Sequence, residues 1–171
     1  SDLQANVDSA EPTEVKQYLS NLKPDEYKAA IEELSAAGSY IHGTHVAGIA
    51  VAGNPYARLA NARIEFGHTL QPDPCPSLEL TLKDARNTQA YVDFFRRHRV
   101  RVVNMSFGGS VGDVEGQLEQ CGIGANADER RKIAREWFDI GKDAFVRAMA
   151  SAPEVLFVAA AGNENADSSF A

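Results

Sequence analysis

Val155-Leu156-Phe157-Val158-Ala159-Ala160 is a continuous apolar run that follows Pro153 and closes at Gly162-Asn163. A run without polar alternation marks a strand covered on both faces, the habit of parallel sheets. Upstream, Arg101-Val102-Val103-Asn104-Met105-Ser106 is β-branched and stops at Gly108-Gly109, as a strand ending at a turn does. Between the two, a Gly-rich loop leads to a helical stretch, Arg130 to Ala150, with Ile133, Trp137, Ile140, Ala144, Phe145 and Met149 on one stripe. Thr81 to His98 repeats helical spacing through Leu82, Ala85, Tyr91, Phe94 and Phe95, and Ala62-Arg63-Ile64-Glu65-Phe66 is a further short strand candidate. Strands alternating with helices of this length imply an α/β chain: a doubly wound parallel sheet with right-handed crossovers and helices on both faces.

Toward the N-terminus, His42 to Ala52 is almost wholly small or apolar, with Gly43 and Gly48 where a surface helix would carry Lys or Glu. That texture predicts a buried helix starting near His42. Before it, Val15, Tyr18, Leu19 and Leu22 form a helical face behind Thr13 as N-cap. Pro24 interrupts, and Asp25 to Ala37 forms a second helix with Tyr27, Ile31 and Leu34 on one face, ended by Gly38. This pair, residues 1–40, reads as a lid or an insertion.

The 171 residues, 44% hydrophobic and 24% charged, suffice for one globular domain with a core. The net charge of −7, without a block of Lys and Arg, argues against nucleic acid as a partner. No apolar run approaches the roughly 20 residues of a membrane helix, and Ser1-Asp2-Leu3-Gln4 carries no leader pattern. Cys75 and Cys121 are either one disulfide or two free thiols, and their separation is not a metal-site spacing.

In parallel α/β sheets, ligands gather beyond the C-terminal strand ends. Three segments end in polar or Gly-rich punctuation at that edge: the His42 helix start, Asn104 to Gly109, and Ala159 to Asn163. His42-Gly43-Thr44-His45-Val46-Ala47-Gly48 resembles the histidine motif of the subtilisin-like serine peptidases. Val103-Asn104-Met105-Ser106-Phe107-Gly108-Gly109 resembles their substrate-binding strand, and Ala159-Ala160-Ala161-Gly162-Asn163-Glu164 their oxyanion segment. The three occur in the family's order over residues 41–164, with an enlarged stretch between Gly112 and Asp128.

The resemblance implies a partial subtilisin-like catalytic domain with a polypeptide as partner. It makes His42 the general base, the role an imidazole suits because it titrates near neutrality; a helix start would favour its neutral form. Asn163 becomes the oxyanion donor. Loss of such a donor costs about 3 to 4 kcal/mol, a figure measured on a member of this same family. Ser106, Phe107 and Gly108 pair with extended substrate, and Ala160, Ala161 and Gly162 line the first specificity pocket, left open to large apolar side chains. Calcium is common in the family, but no residue here is assigned to it by motif. An exported location, secreted or periplasmic, is implied by resemblance alone.

Two members of the triad lack a clear match. The family's serine sits in a Gly-Thr-Ser-Met-like context that neither Ser168 nor Ser169 has. Asp8-Ser9-Ala10 is the nearest match to the aspartate segment, but Ala10 replaces a glycine and Leu3 to Val7 is too polar for a buried strand. The aspartate and serine are therefore expected outside these residues, and these 171 residues alone are expected to be inactive and, with an incomplete sheet, prone to self-association. The residues by themselves also admit other readings. His42 and His45 are neighbours on one helical face, and a structural role suits them; a zinc site is weaker, because Gly43 stands where the Glu of a His-Glu-x-x-His pattern belongs. Gly162-Asn163 and Gly108-Gly109 are ordinary turn sequences. A peptide-binding pseudoprotease is the alternative function, and an unrelated ligand-binding doubly wound domain lacks any phosphate loop to support it.

Overall fold

The structure, a computed structural model, describes residues 10–64 and 67–162. The chain divides into two compact units, Ser1–Thr44 with His68–Leu70 and His45–Gly67 with Gln71–Ala171.

The first unit holds helix α1 (Ala10–Asn21) and most of α2 (Pro24–Val51). Pro24 suits a first helical position, which needs no N–H, and Asp25 and Glu26 complement the helix dipole. Glu26 also reaches back to accept the Lys23 N–H at 3.1 Å, which closes the start. The Leu70 N–H donates to Glu32 at 2.9 Å within the same unit.

Two readings of this region need correction. Helix α2 does not stop at Gly38 but continues to Val51. A glycine stops a helix when it takes the left-handed cap conformation. Gly38 is not among the left-handed glycines; Gly53 is, at φ 75°, two residues past the end of α2. Gly38 thus lowers helix propensity by about 1 kcal/mol without breaking the helix. His42 consequently lies inside α2, so the dipole argument for its neutral form does not apply. Nor is His42–Ala52 buried: His42, Gly43, Thr44 and Ile49 are exposed, and no atom lies within 4 Å of a Cβ built on Gly43 or Gly48. Small side chains permit close packing, but among the described residues no element packs closely around either glycine.

The second unit carries α3 (Leu78–Arg97), β1 (Val102–Met105), α4 (Val111–Gln120), α5 (Ala127–Ala150) and β2 (Leu156–Ala159). Helix α3 starts three residues ahead of the Thr81 read from periodicity, because Ser77 accepts the Leu80 N–H at 3.2 Å. Helix α5 starts early for the same reason, with Asn126 accepting the Glu129 N–H at 2.9 Å. The Gly-rich stretch after Gly109 contains α4. A capping box between Ser110 and Asp113 closes its first turn, and Leu118 is wholly buried. Gly124, at φ 88°, makes the turn from α4 to α5, where a Cβ would meet Arg130 Cγ at 2.7 Å.

Strands β1 and β2 pair in parallel, Val102 opposite Leu156 through Met105 opposite Ala159. The pairing is parallel, as the sequence predicts, and the sheet has two strands among the described residues. Residues 62–64 form no strand, and 65 and 66 lie outside the described residues; the Arg63 carbonyl accepts from Tyr91 Oη at 3.1 Å, which fixes this stretch as a loop on α3. Helices α3 and α4 each pack on α5. The core joins Val92 of α3, Val103 and Met105 of β1, Ala148 of α5, and Ala152 and Val155. Alternation along β1 sends Val103 and Met105 into this core and leaves Val102 and Asn104 outward. Val102, Leu156 and Val158 are exposed, so β2 is not covered on both faces as its apolar run suggests.

Cys75 and Cys121 form a disulfide with a Cα–Cα distance of 5.9 Å, which resolves the choice between a pair and free thiols.

Candidate functional site

The register of the sheet fixes what meets at its C-terminal edge. Met105 stands opposite Ala159, and the Ala160 N–H continues the ladder by donating to the Met105 carbonyl at 3.1 Å. Ser106, Phe107 and Gly108 therefore leave β1 beside Ala160, Ala161 and Gly162 leaving β2. Two of the three segments singled out from the sequence come together in one unit, and parallel pairing is the cause.

Each segment has its own anchors. Phe107 is half-buried and packs against the core. Ser106 Oγ accepts from Asn104 Nδ2 at 2.8 Å, which orients both side chains on the outward face. Gly108 and Gly109 are exposed, and beyond their chain neighbours nothing among the described residues lies within 4 Å of a Cβ built on either. On the β2 side Ala160, Ala161 and Gly162 are all exposed, and Gly162 turns at φ 93°, where a side chain would be strained. Gly108 on one side and Ala160, Ala161 and Gly162 on the other are exposed and carry small side chains or none, a texture that suits an extended peptide bound by strand addition.

His42 is exposed on α2 and belongs to the first unit. Asn163, Asp8, Ser168 and Ser169 lie outside the described residues. No group of three or more His, Cys, Asp or Glu gathers among the described residues as a metal site would. No described helix is long and apolar enough to cross a membrane.

Sequence reasoning overlooked the capping box of Ser110 and Asp113, which fixes where the Gly108-Gly109 segment ends. The signal was present as Ser-x-x-Asp directly after the glycine pair. It also left open the tie between Cys75 and Cys121, for which two cysteines in a sequence supply no distance.

No curated protein and no solved structure matched the chain. The model of the subtilase family, Peptidase_S8, matches residues 3–171, nearly the whole length and across all three motif segments. The chain belongs to the subtilases, a family of serine peptidases.

Proposed function

We propose that the protein is a serine endopeptidase that cleaves peptide bonds through a Ser-His-Asp triad and an acyl-enzyme, to which this chain contributes the base, the substrate strand and an oxyanion donor. Family membership implies a polypeptide substrate. The observation that carries the reading is the edge of the sheet, where Ser106 to Gly108 and Ala160 to Gly162 emerge side by side. A substrate backbone lies along the first segment, and its side chain enters the pocket walled by the second.

In this mechanism His42 takes the hydroxyl proton as the serine oxygen bonds to the substrate carbonyl carbon. It returns that proton to the amine nitrogen as the carbon–nitrogen bond breaks, and water repeats the sequence on the acyl-enzyme. Asn163 donates its side-chain amide to the oxyanion of each tetrahedral intermediate. The 171 residues contain no serine in the family's nucleophile context, so we expect no hydrolysis from them alone.

The two strands are read as part of a larger doubly wound sheet, to which residues 1–40 add a helical insertion. Support comes from the apolar face of Val102, Leu156 and Val158, turned away from the core and exposed. The same face favours self-association of the isolated chain.

The deciding experiment is fluorophosphonate labelling of the polypeptide from its native source, with its mass compared with the 18.5 kDa of this chain. A labelled species of larger mass, with labelling weakened by His42→Ala, is expected. An unlabelled native product would sink the enzyme reading in favour of a peptide-binding protein that has lost its nucleophile.

A further inference from the structure

The substrate segment Ser106 to Gly109 sits inside a covalent ring. From Cys75 the chain runs through α3, β1, the segment itself and α4, and returns at Cys121, the C-cap of α4, to close the disulfide. Both cysteine sulfurs lie near the Pro72 carbonyl, at 3.6 and 3.9 Å, so the crosslink joins the end of α4 to the Pro-rich loop that leads into α3.

The glycine half of the segment has little packing to hold its shape. Gly108 and Gly109 are exposed, and beyond their chain neighbours nothing among the described residues lies within 4 Å of a Cβ built on either. Its geometry depends on anchors at the two ends. On one side are the Ala160 N–H on the Met105 carbonyl and the packing of Phe107. On the other is α4, whose capping box ties Ser110 to Asp113 through Asp113 N–H to Ser110 Oγ at 3.2 Å and Ser110 N–H to Asp113 Oδ2 at 2.7 Å. Helix α4 has only ten residues, two of them glycines, so its position depends on contacts with the rest of the protein. Those contacts are the packing on α5 around Leu118, the ion pairs of Glu119 with Arg130 at 3.1 Å and of Glu115 with Arg131 at 3.4 Å, and the bond from Cys121 to Cys75.

We propose that the Cys75–Cys121 disulfide is a positioning clamp for peptide binding: by fixing the far end of α4 it holds Ser106 to Gly109 extended and open to substrate. The clamp rests on the reading of that segment as the substrate strand. It touches neither substrate nor the reacting atoms, so its loss acts on peptide binding and spares the chemical step.

The test compares the whole peptidase with its Cys75→Ser/Cys121→Ser variant on an extended peptide substrate, together with hydrogen exchange at the Ser110 amide, which donates to Asp113. Expected are a KM raised about fivefold or more with kcat within about twofold, and exchange accelerated about tenfold at that amide. Unchanged KM and unchanged exchange in a folded variant overturn the clamp; a kcat loss at constant KM does so too. If the double variant does not fold, Ser110→Ala loosens the same segment at its nearer anchor, and the same KM shift is required of it. If the wild-type protein hydrolyses no peptide, the peptidase reading fails by itself. Exchange then decides the clamp: faster exchange without the disulfide keeps it, and equal exchange removes it.

Discussion

The Ala160 N–H donates to the Met105 carbonyl at 3.1 Å, one step beyond the last paired residues of the two strands. This bond carries the sheet register into the segments that form the candidate groove. Ala160→Pro deletes the donor. It leaves the carbonyl without its partner at a cost of about 1 to 3 kcal/mol, and kcat/KM on extended peptides should fall about tenfold or more. Urea unfolding and peptide kinetics measure the two effects, and an unchanged kcat/KM would remove this edge from the groove.

His42→Ala should abolish the activity of the whole protein while leaving its stability nearly unchanged, because His42 is exposed. The expected loss in kcat is about 10⁶-fold, the magnitude measured for the histidine of a member of this same family. Residual activity within about tenfold of wild type would dismiss His42 as the base.

Leu118 is wholly buried between α4 and the rest of its unit. Leu118→Ala should destabilise by about 2 to 5 kcal/mol, from lost transfer energy and the cavity left behind. A lower urea midpoint at constant m-value is the expected signature.

Breaking the disulfide releases a loop of 46 residues in the unfolded chain. By chain entropy this lowers stability by about 4 kcal/mol. Thermal unfolding with and without a dithiol reductant measures it, and equal midpoints would contradict the linkage.

Arg96 Nε donates to Glu154 Oε1 at 2.8 Å with both side chains about half-exposed. That hydrogen bond, with the guanidinium charge, holds the Glu154 carboxyl below its ordinary 4.5. A carboxylate whose pKa is lower folded than unfolded adds stability above the unfolded value, and that stability is lost as pH falls through the folded one. Glu154→Gln should therefore be slightly less stable than wild type at neutral pH, with the gap narrowing at about 1 M salt and closing in acid below the carboxylate range. A gap that persists in strong acid would exclude the ion pair as its cause.

Much of this fold is legible in the residues because the signals are periodic. The stripe from Ile133 to Met149 and the runs around Val103 and Phe157 fall on α5, β1 and β2. Helix starts were displaced where a cap lay outside the apolar period, as at Ser77 and Asn126. The continuity of α2 was hidden because a glycine in sequence does not announce its φ, and Gly38 and Gly53 look alike until the backbone is seen. Burial was overstated for Leu156 and Val158, since an apolar run records what a strand is suited to meet and not what is present. At the site, the convergence of Ser106 to Gly108 with Ala160 to Gly162 follows from parallel pairing and was readable. The histidine motif carries no distance from His42 to that edge, because a local pattern is silent on long-range packing.

The parallel register has a consequence for synthesis. Val102 must find Leu156, and two whole helices, α4 and α5, are translated between them. At ~5–20 residues per second, β1 waits several seconds after leaving the ribosome before its partner strand exists. During that wait the β-branched pair Val102-Val103 is an open edge able to join any other strand that arrives first. The nascent chain is most exposed to mispairing in this interval, when a chaperone that shields β1 would matter most.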